Sequence, residues 1–162
     1  MLKRLINSVR RNHALEHATI SILLRKHGQI RVVGRAAPDG FYIYGDVPTE
    51  RLEEFASEAL ERLQRGEAHL AVSPHCGTNI AVAGLLAGVG SYVAMGARSD
   101  RLGGLPGAII ASVAAVIASQ PVGRWVQKNY TTSPDLEGVR LVSVKKGGGR
   151  LQNFHKVQTA AA

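Results

Sequence analysis

The sequence predicts an α+β fold: an αββαβ–ββ two-layer unit with an inserted two-helix transmembrane hairpin. Three patterns predict it. Two stretches repeat their apolar residues with helical period, and several short segments alternate apolar and polar residues between turn formers. Two long runs in the middle third carry no charged residue at all. With 162 residues, the chain can build one ordinary domain but not two full-sized ones. Its 45% hydrophobic and 20% charged residues exclude a wholly disordered chain or a low-complexity fibre.

Residues 3–27 carry the first helical period and stop at Gly28. Segments 30–36 (IRVVGRA) and 40–46 (GFYIYGD) alternate as strands around Pro38-Asp39-Gly40. Pro48 and the acidic residues after it open a second helix, which ends at Gly66. Segment 68–74 (AHLAVSP) reads as a third strand leading into the first apolar run. After the second run, VRLVSVKK and RLQNFHKVQ form a hairpin around Gly147-Gly148-Gly149. The expected domains are therefore 1–78 plus 122–162, an α+β metal-binding unit, and 79–121, the hairpin.

Charge is strongly segregated. Residues 1–69 hold 11 Lys/Arg and 9 Asp/Glu, residues 70–123 hold 2 and 1, and residues 124–162 hold 7 and 2. Runs 80–97 and 102–121 each approach the roughly 20 residues that a helix needs to cross a bilayer. Small residues fall four apart, Gly84 and Gly88 in one run and Gly103, Gly107, Ala111 and Ala115 in the other. That spacing lets the two helices pack closely on each other. Counting Lys/Arg puts both termini on the cytoplasmic side of a bacterial inner membrane, with the short Arg98–Arg101 loop outside. The basic N-terminus lacks the apolar core and cleavage site of a secretory signal. The lone Cys76 excludes an intrachain disulfide.

The chemistry concentrates in His13-Ala14-Leu15-Glu16-His17. Side chains four apart on a helix lie one turn above each other, so the two imidazoles can converge on one metal ion with Glu16 beside them. In such an H-x-x-E-H arrangement the carboxylate can take a proton from water. Leu5, Ile6, Val9, Ile20, Leu23 and Leu24 span an arc of about 120°, and the three titratable residues fall in or beside it. Polar groups on a buried stripe must be satisfied. A metal does so for all three at once; a hydrogen-bonded His-Glu cluster is the plainer alternative. Ser73-Pro74-His75-Cys76-Gly77-Thr78-Asn79 offers a third ligand, Cys76 first and His75 second, because a thiolate is a strong zinc donor. Zn2+ is the expected ion, with other divalent transition metals able to replace it. Thr78 and Asn79 are candidate donors to a substrate oxygen. His27, His69 and His155 read as surface or strand residues, His155 with a further candidacy for supporting a ligand or contacting substrate.

The segment HALEHATISILLR resembles the metal helix of S-ribosylhomocysteinase and of the pitrilysin-type inverted-zincin peptidases. In the first family a later G-C-x-T-G segment supplies a Cys ligand, which HCGTN around Cys76 matches loosely. The order αββαβ is similar to the α+β unit of both families, and neither has the apolar runs. This chain lacks a second Cys, which the S-ribosylhomocysteinase reaction uses as an acid/base group. Pitrilysin-type peptidases take their third ligand from a later helix, where Glu54, Glu58 and Glu61 are the counterparts here, and they pair such units around the substrate. A homodimer would supply that pairing. The chain most resembles uncharacterised small bacterial membrane proteins with the N-H-A-L-E-H-A signature. Motif, apolar runs and resemblance together lead to the expectation of a membrane-anchored, zinc-dependent hydrolase acting on a peptide or amide at the cytoplasmic membrane surface, with Glu16 as general base. The alternative is a non-enzymatic membrane adaptor stapled by a structural metal or by the His-Glu cluster.

The net charge of +8 draws much of its excess from Arg140, Lys145, Lys146, Arg150 and Lys156. Beside a membrane these cations are each attracted to anionic lipid by roughly 1 kcal/mol. Arg124, Trp125, Lys128 and Tyr130 suit an interfacial belt. Nucleic acid ranks below lipid as a partner, because only Phe154 lies near the basic tail in the sequence.

Overall fold

The computed structural model describes residues 1–28, 30–96, 103–148 and 153–161. The expected Arg98–Arg101 loop, Gly149 and Arg150 lie outside the described residues. The order of elements is α1 (Leu2–His27), β1 (Val33–Ala37), β2 (Gly40–Tyr44), α2 (Thr49–Gln64), a 3-10 turn (Ala68–Ala71), α3 (Gly77–Gly96), α4 (Leu105–Val126), a π turn (Gln127–Thr131), β3 (Val139–Gly148) and β4 (Asn153–Ala161). The fold is α+β, as the patterning predicts. Contacts divide the chain into two compact units, Met1–Ser73 with Lys128–Ala162, and Pro74–Gln127.

The first unit is built on an antiparallel sheet in the order β1-β2-β4-β3. Strand alternation turns Phe41, Ile43 and Val157 toward the helices, where they pack with Leu15, Ala18 and Ile22 of α1 and Leu52, Phe55 and Ala59 of α2. All nine are at most 2% exposed. Each large apolar side chain so buried contributes roughly 1.5–3 kcal/mol. The β1–β2 turn depends on Gly40, whose φ of 141° and close approach to the Val157 carbonyl leave no room for a side chain. A register shift between Leu141 and Ser143 marks an irregularity in β3 where it pairs with β4.

Two expectations change in this unit. Segment 68–74 is not a strand: Ala68–Ala71 winds into a 3-10 turn, and the adjacent Leu70 and Ala71 are both buried. A strand would send those neighbours to opposite faces. The apolar stripe of α1 is also shorter than its period suggests. Its buried residues run from Asn12 to Leu23, whereas Leu5 and Ile6 are exposed.

The second unit is a helical hairpin. Gly90 of α3 packs against Ala111 of α4, and Gly107 against Ala94. Ser91 and Ser112 share a hydrogen bond of 2.7 Å between their hydroxyls. The α4 stripe through Gly107 and Ala111 thus lies at the contact, as expected. Gly84 and Gly88 do not: a Cβ on either would meet open space. Gly90, Ser91 and Ala94 take their place because they fall on another side of α3. At the base of the hairpin Asn79 Oδ1 accepts a hydrogen bond from Gln127 Nε2 at 2.8 Å, while Asn79 Nδ2 donates to the Pro74 carbonyl at 2.8 Å. Gly123 lies flush against this Asn79 side chain, where a Cβ would collide.

Candidate metal centre

His13, Glu16 and His17 come together because α1 is regular through this stretch. The two imidazole centroids are 4.4 Å apart. His17 Nδ1 lies 2.8 Å from the Ala71 carbonyl, and His13 Nδ1 lies 2.9 Å from the Thr131 carbonyl. A carbonyl oxygen only accepts, so both Nδ1 atoms carry a proton, and in the neutral ring the lone pair is left on Nε2. An orienting N–H to carbonyl bond of this kind is what a metal-ligating histidine ordinarily makes. The 3-10 turn that replaces the expected strand is therefore the element that aims His17.

The chain after the π turn is pinned to the same helix. Arg10 donates to the Asn129 and Thr132 carbonyls, each at 3.1 Å, and the Ser133 N–H donates to the Arg10 carbonyl at 3.0 Å. Arg11 adds an ion pair with Asp135 at 2.8 Å. These contacts hold Thr131, and so His13, in register. On the other side of α1, Asn12 donates to the Ala37 and Pro38 carbonyls and accepts from the Thr159 hydroxyl. Asn12 is buried and locks the helix to the sheet.

Glu16 is 6% exposed. Burial pushes its carboxyl up to about 7, against a smaller lowering by the neighbouring His13. Loss of hydration penalises the charged form, and His13 only partly compensates. Gly34 on β1 makes room for it: a Cβ there would collide with the Glu16 carboxylate. An isolated glycine inside a strand pattern signals such a close backbone approach, so Gly34 was open to discovery from sequence. Nothing local announces the carbonyls of Ala71 and Thr131.

Cys76 stands immediately before α3, buried at 8% exposure. The Thr78 N–H donates to its sulfur at 3.4 Å, and the Cys76 thiol donates to the Thr78 hydroxyl at 3.3 Å. Thr78 thus lies against the sulfur, and Asn79 holds the hairpin base. His75 is exposed. Of the other histidines, His27 and His69 are exposed, while His155 is fully buried on β4 with Nε2 3.1 Å from the Thr49 hydroxyl. Within the first unit His13 and His17 are the imidazole donors that could share a metal ion, whereas Cys76 belongs to the second unit.

Residues 8–144 match the family described as Domain of unknown function (DUF6391). The chain belongs to the DUF6391 family. The matched stretch includes α1 from Ser8 onward, Cys76 and both apolar helices. An uncharacterised protein of Picosynechococcus sp. is 34% identical over 135 residues, which cover 77% of this chain. This DUF6391 chain spans 66% of that relative's length. No solved structure matches it.

Proposed function

We propose that the protein is a membrane-anchored metallohydrolase of the H-x-x-E-H type, with His13, His17 and Cys76 as ligands of a zinc ion and Glu16 as general base. The observation that carries this reading is the paired imidazoles, each with its proton committed to a backbone carbonyl, beside a buried carboxyl that titrates at about 7. Cys76 follows Ala71 by five residues, so the backbone keeps its Cα within about 18 Å of the Cα of Ala71, whose carbonyl aims His17. Two nitrogens and a sulfur are a donor set that zinc accepts readily.

A bound ion would supply Lewis acidity toward a carbonyl oxygen. Glu16 would accept the proton of an attacking water and return it to the leaving nitrogen. A peptide or other amide is the substrate class that needs both functions.

Membrane anchoring rests on α3 and α4. Two helices, Gly77–Gly96 and Leu105–Thr131, are long and apolar enough to cross a membrane. Ile80, Leu85, Val93, Ile110 and Ile117 are among their apolar side chains left uncovered. Such surface is stable in lipid and unfavourable in water. Membrane fractionation tests this part: recovery of the whole chain in the soluble fraction refutes it.

The burial of His17 and Cys76, 3% and 8% exposed, favours a second reading, in which a closed metal site staples a non-enzymatic adaptor. Metal analysis of detergent-purified protein tests the two readings together. Stoichiometric zinc in the wild type, lost in His13→Ala and Cys76→Ala, supports a metal site; metal-free wild type that takes up none on zinc titration refutes both readings. Hydrolysis that Glu16→Gln abolishes without loss of zinc supports the enzyme. Zinc retention with hydrolysis unchanged in Glu16→Gln refutes it.

A further inference from the structure

The sheet of the first unit has a second face, turned away from α1 and α2. Its strand register arranges outward side chains in rows across all four strands. One row reads Arg35, Tyr42, Lys156, Lys145, and the next reads Val33, Tyr44, Phe154, Gly147. With strands about 4.8 Å apart, the cationic row extends for roughly 14 Å.

The aromatic groups form one surface. Ring centroids of Tyr42 and Tyr44 are 6.3 Å apart, and each is 6.0 Å from that of Phe154. Phe154 lies over Gly147, in the space that a Cβ would fill, so its ring rests against the strand. Lys156 sits 4.2 Å from the Tyr42 ring centroid. The three rings are half-buried, and Arg35 and Lys145 are exposed.

The charge on these strands is of one sign. The four strands contain Arg35, Arg140, Lys145, Lys146 and Lys156 and no Asp or Glu. Lys156 pairs with Asp39 of the turn at 2.6 Å. Among the described residues neither Arg35 nor Lys145 forms an ion pair.

We infer that this face binds single-stranded nucleic acid, with bases stacking on Tyr42, Tyr44 and Phe154 and the phosphate backbone following the Arg35–Lys156–Lys145 row. Stacking on aromatics from the central strands of a four-stranded antiparallel sheet, with cations along the backbone, is a recurrent way to hold unpaired bases. In the sequence only Phe154 lies near the basic segment; the β2–β4 pairing brings Tyr42 and Tyr44 beside it. A second copy seated face to face would oppose strands that carry only positive charge, which disfavours that occupant.

The test uses the full chain in nanodiscs of zwitterionic lipid and fluorescein-labelled oligouridylate and oligodeoxythymidylate of roughly 12 nucleotides. Fluorescence anisotropy is expected to show binding that weakens steeply with salt. Tyr42→Ala with Tyr44→Ala should weaken it by about tenfold or more. Arg35→Glu with Lys145→Glu, at exposed positions that leave the core untouched, should weaken it similarly and flatten the salt dependence. Absence of binding at low salt overturns the inference. So does binding that both double variants leave unchanged, or adsorption to phosphatidylserine vesicles without oligonucleotide binding.

Discussion

Replacing Glu16 by Gln removes the charge and keeps the shape, so the variant isolates what ionising this buried carboxyl costs. The Glu16 carboxyl titrates at about 7 when folded, against 4.5 for an unburied glutamate, a difference of about 2.5 pH units. At 1.36 kcal/mol per unit this amounts to about 3 kcal/mol. In the window from 4.5 to 7 the folded state holds the proton and the unfolded state releases it. Stability therefore falls as pH rises through that window, and the full penalty is present above it. Urea unfolding of metal-free protein in detergent, followed by tyrosine fluorescence between pH 4 and 8.5, reads this directly. The stability of Glu16→Gln relative to wild type should increase across the window by about 3 kcal/mol and then level off. Saturating zinc should narrow the gap at high pH, since a nearby cation favours the carboxylate. Parallel curves for the two proteins without metal, differing by a constant from pH 4 to 8.5, would refute the claim that burial raises this carboxyl.

Other substitutions probe the supporting structure. Gly34→Ala forces a methyl group against the Glu16 carboxylate and should cost about 1–3 kcal/mol by urea unfolding, with a smaller cost in a Glu16→Ala background. Asn12→Ala strips the hydrogen bonds to Ala37, Pro38 and Thr159 and should destabilise by about 2 kcal/mol or more on the same measurement. Burial, with a smaller push from Lys146 and opposition from Asp46 and Glu50, holds His155 below its usual 6.5. The unfolded chain then takes up the proton first, so stability should fall as pH drops below 6.5, a loss that His155→Gln should remove from the acid limb of the unfolding profile. In the hairpin, Gly90→Ile should lower the midpoint of thermal unfolding in detergent, because Ala111 occupies the space, whereas Gly84→Ile should leave it nearly unchanged.

Much of the architecture was legible because it is local. The helical period of α1, the alternation in β1 and β2 around Pro38-Asp39-Gly40, and the charge-free stretches that become α3 and α4 are short-range patterns. The segment 68–74 misled because Ala68, Leu70 and Val72 alternate as in a strand. Its true conformation follows from tertiary demand: Leu70 and Ala71 both enter the core, and the Ala71 carbonyl turns to His17. Leu5 and Ile6 misled in the opposite sense, since a period cannot tell how far the underlying sheet extends.

The candidate centre divides along the same line. His13, Glu16 and His17 share one side of α1 because an α-helix places residues three and four apart together, a geometry that needs no tertiary contact. Their chemical states depend on distant parts of the chain. The carbonyls that set the imidazole tautomers lie 54 and 118 residues away, and the glycine that admits the Glu16 carboxylate lies on another element. The aromatic surface also exists only through strand pairing, which joins residue 44 to residue 154. Sequence alone thus determined which groups the helix presents and where charge is absent. Packing decided which atom of each imidazole holds its proton, why Glu16 resists ionisation and which side chains share a sheet face, because desolvation and long-range register arise only once distant segments are brought together.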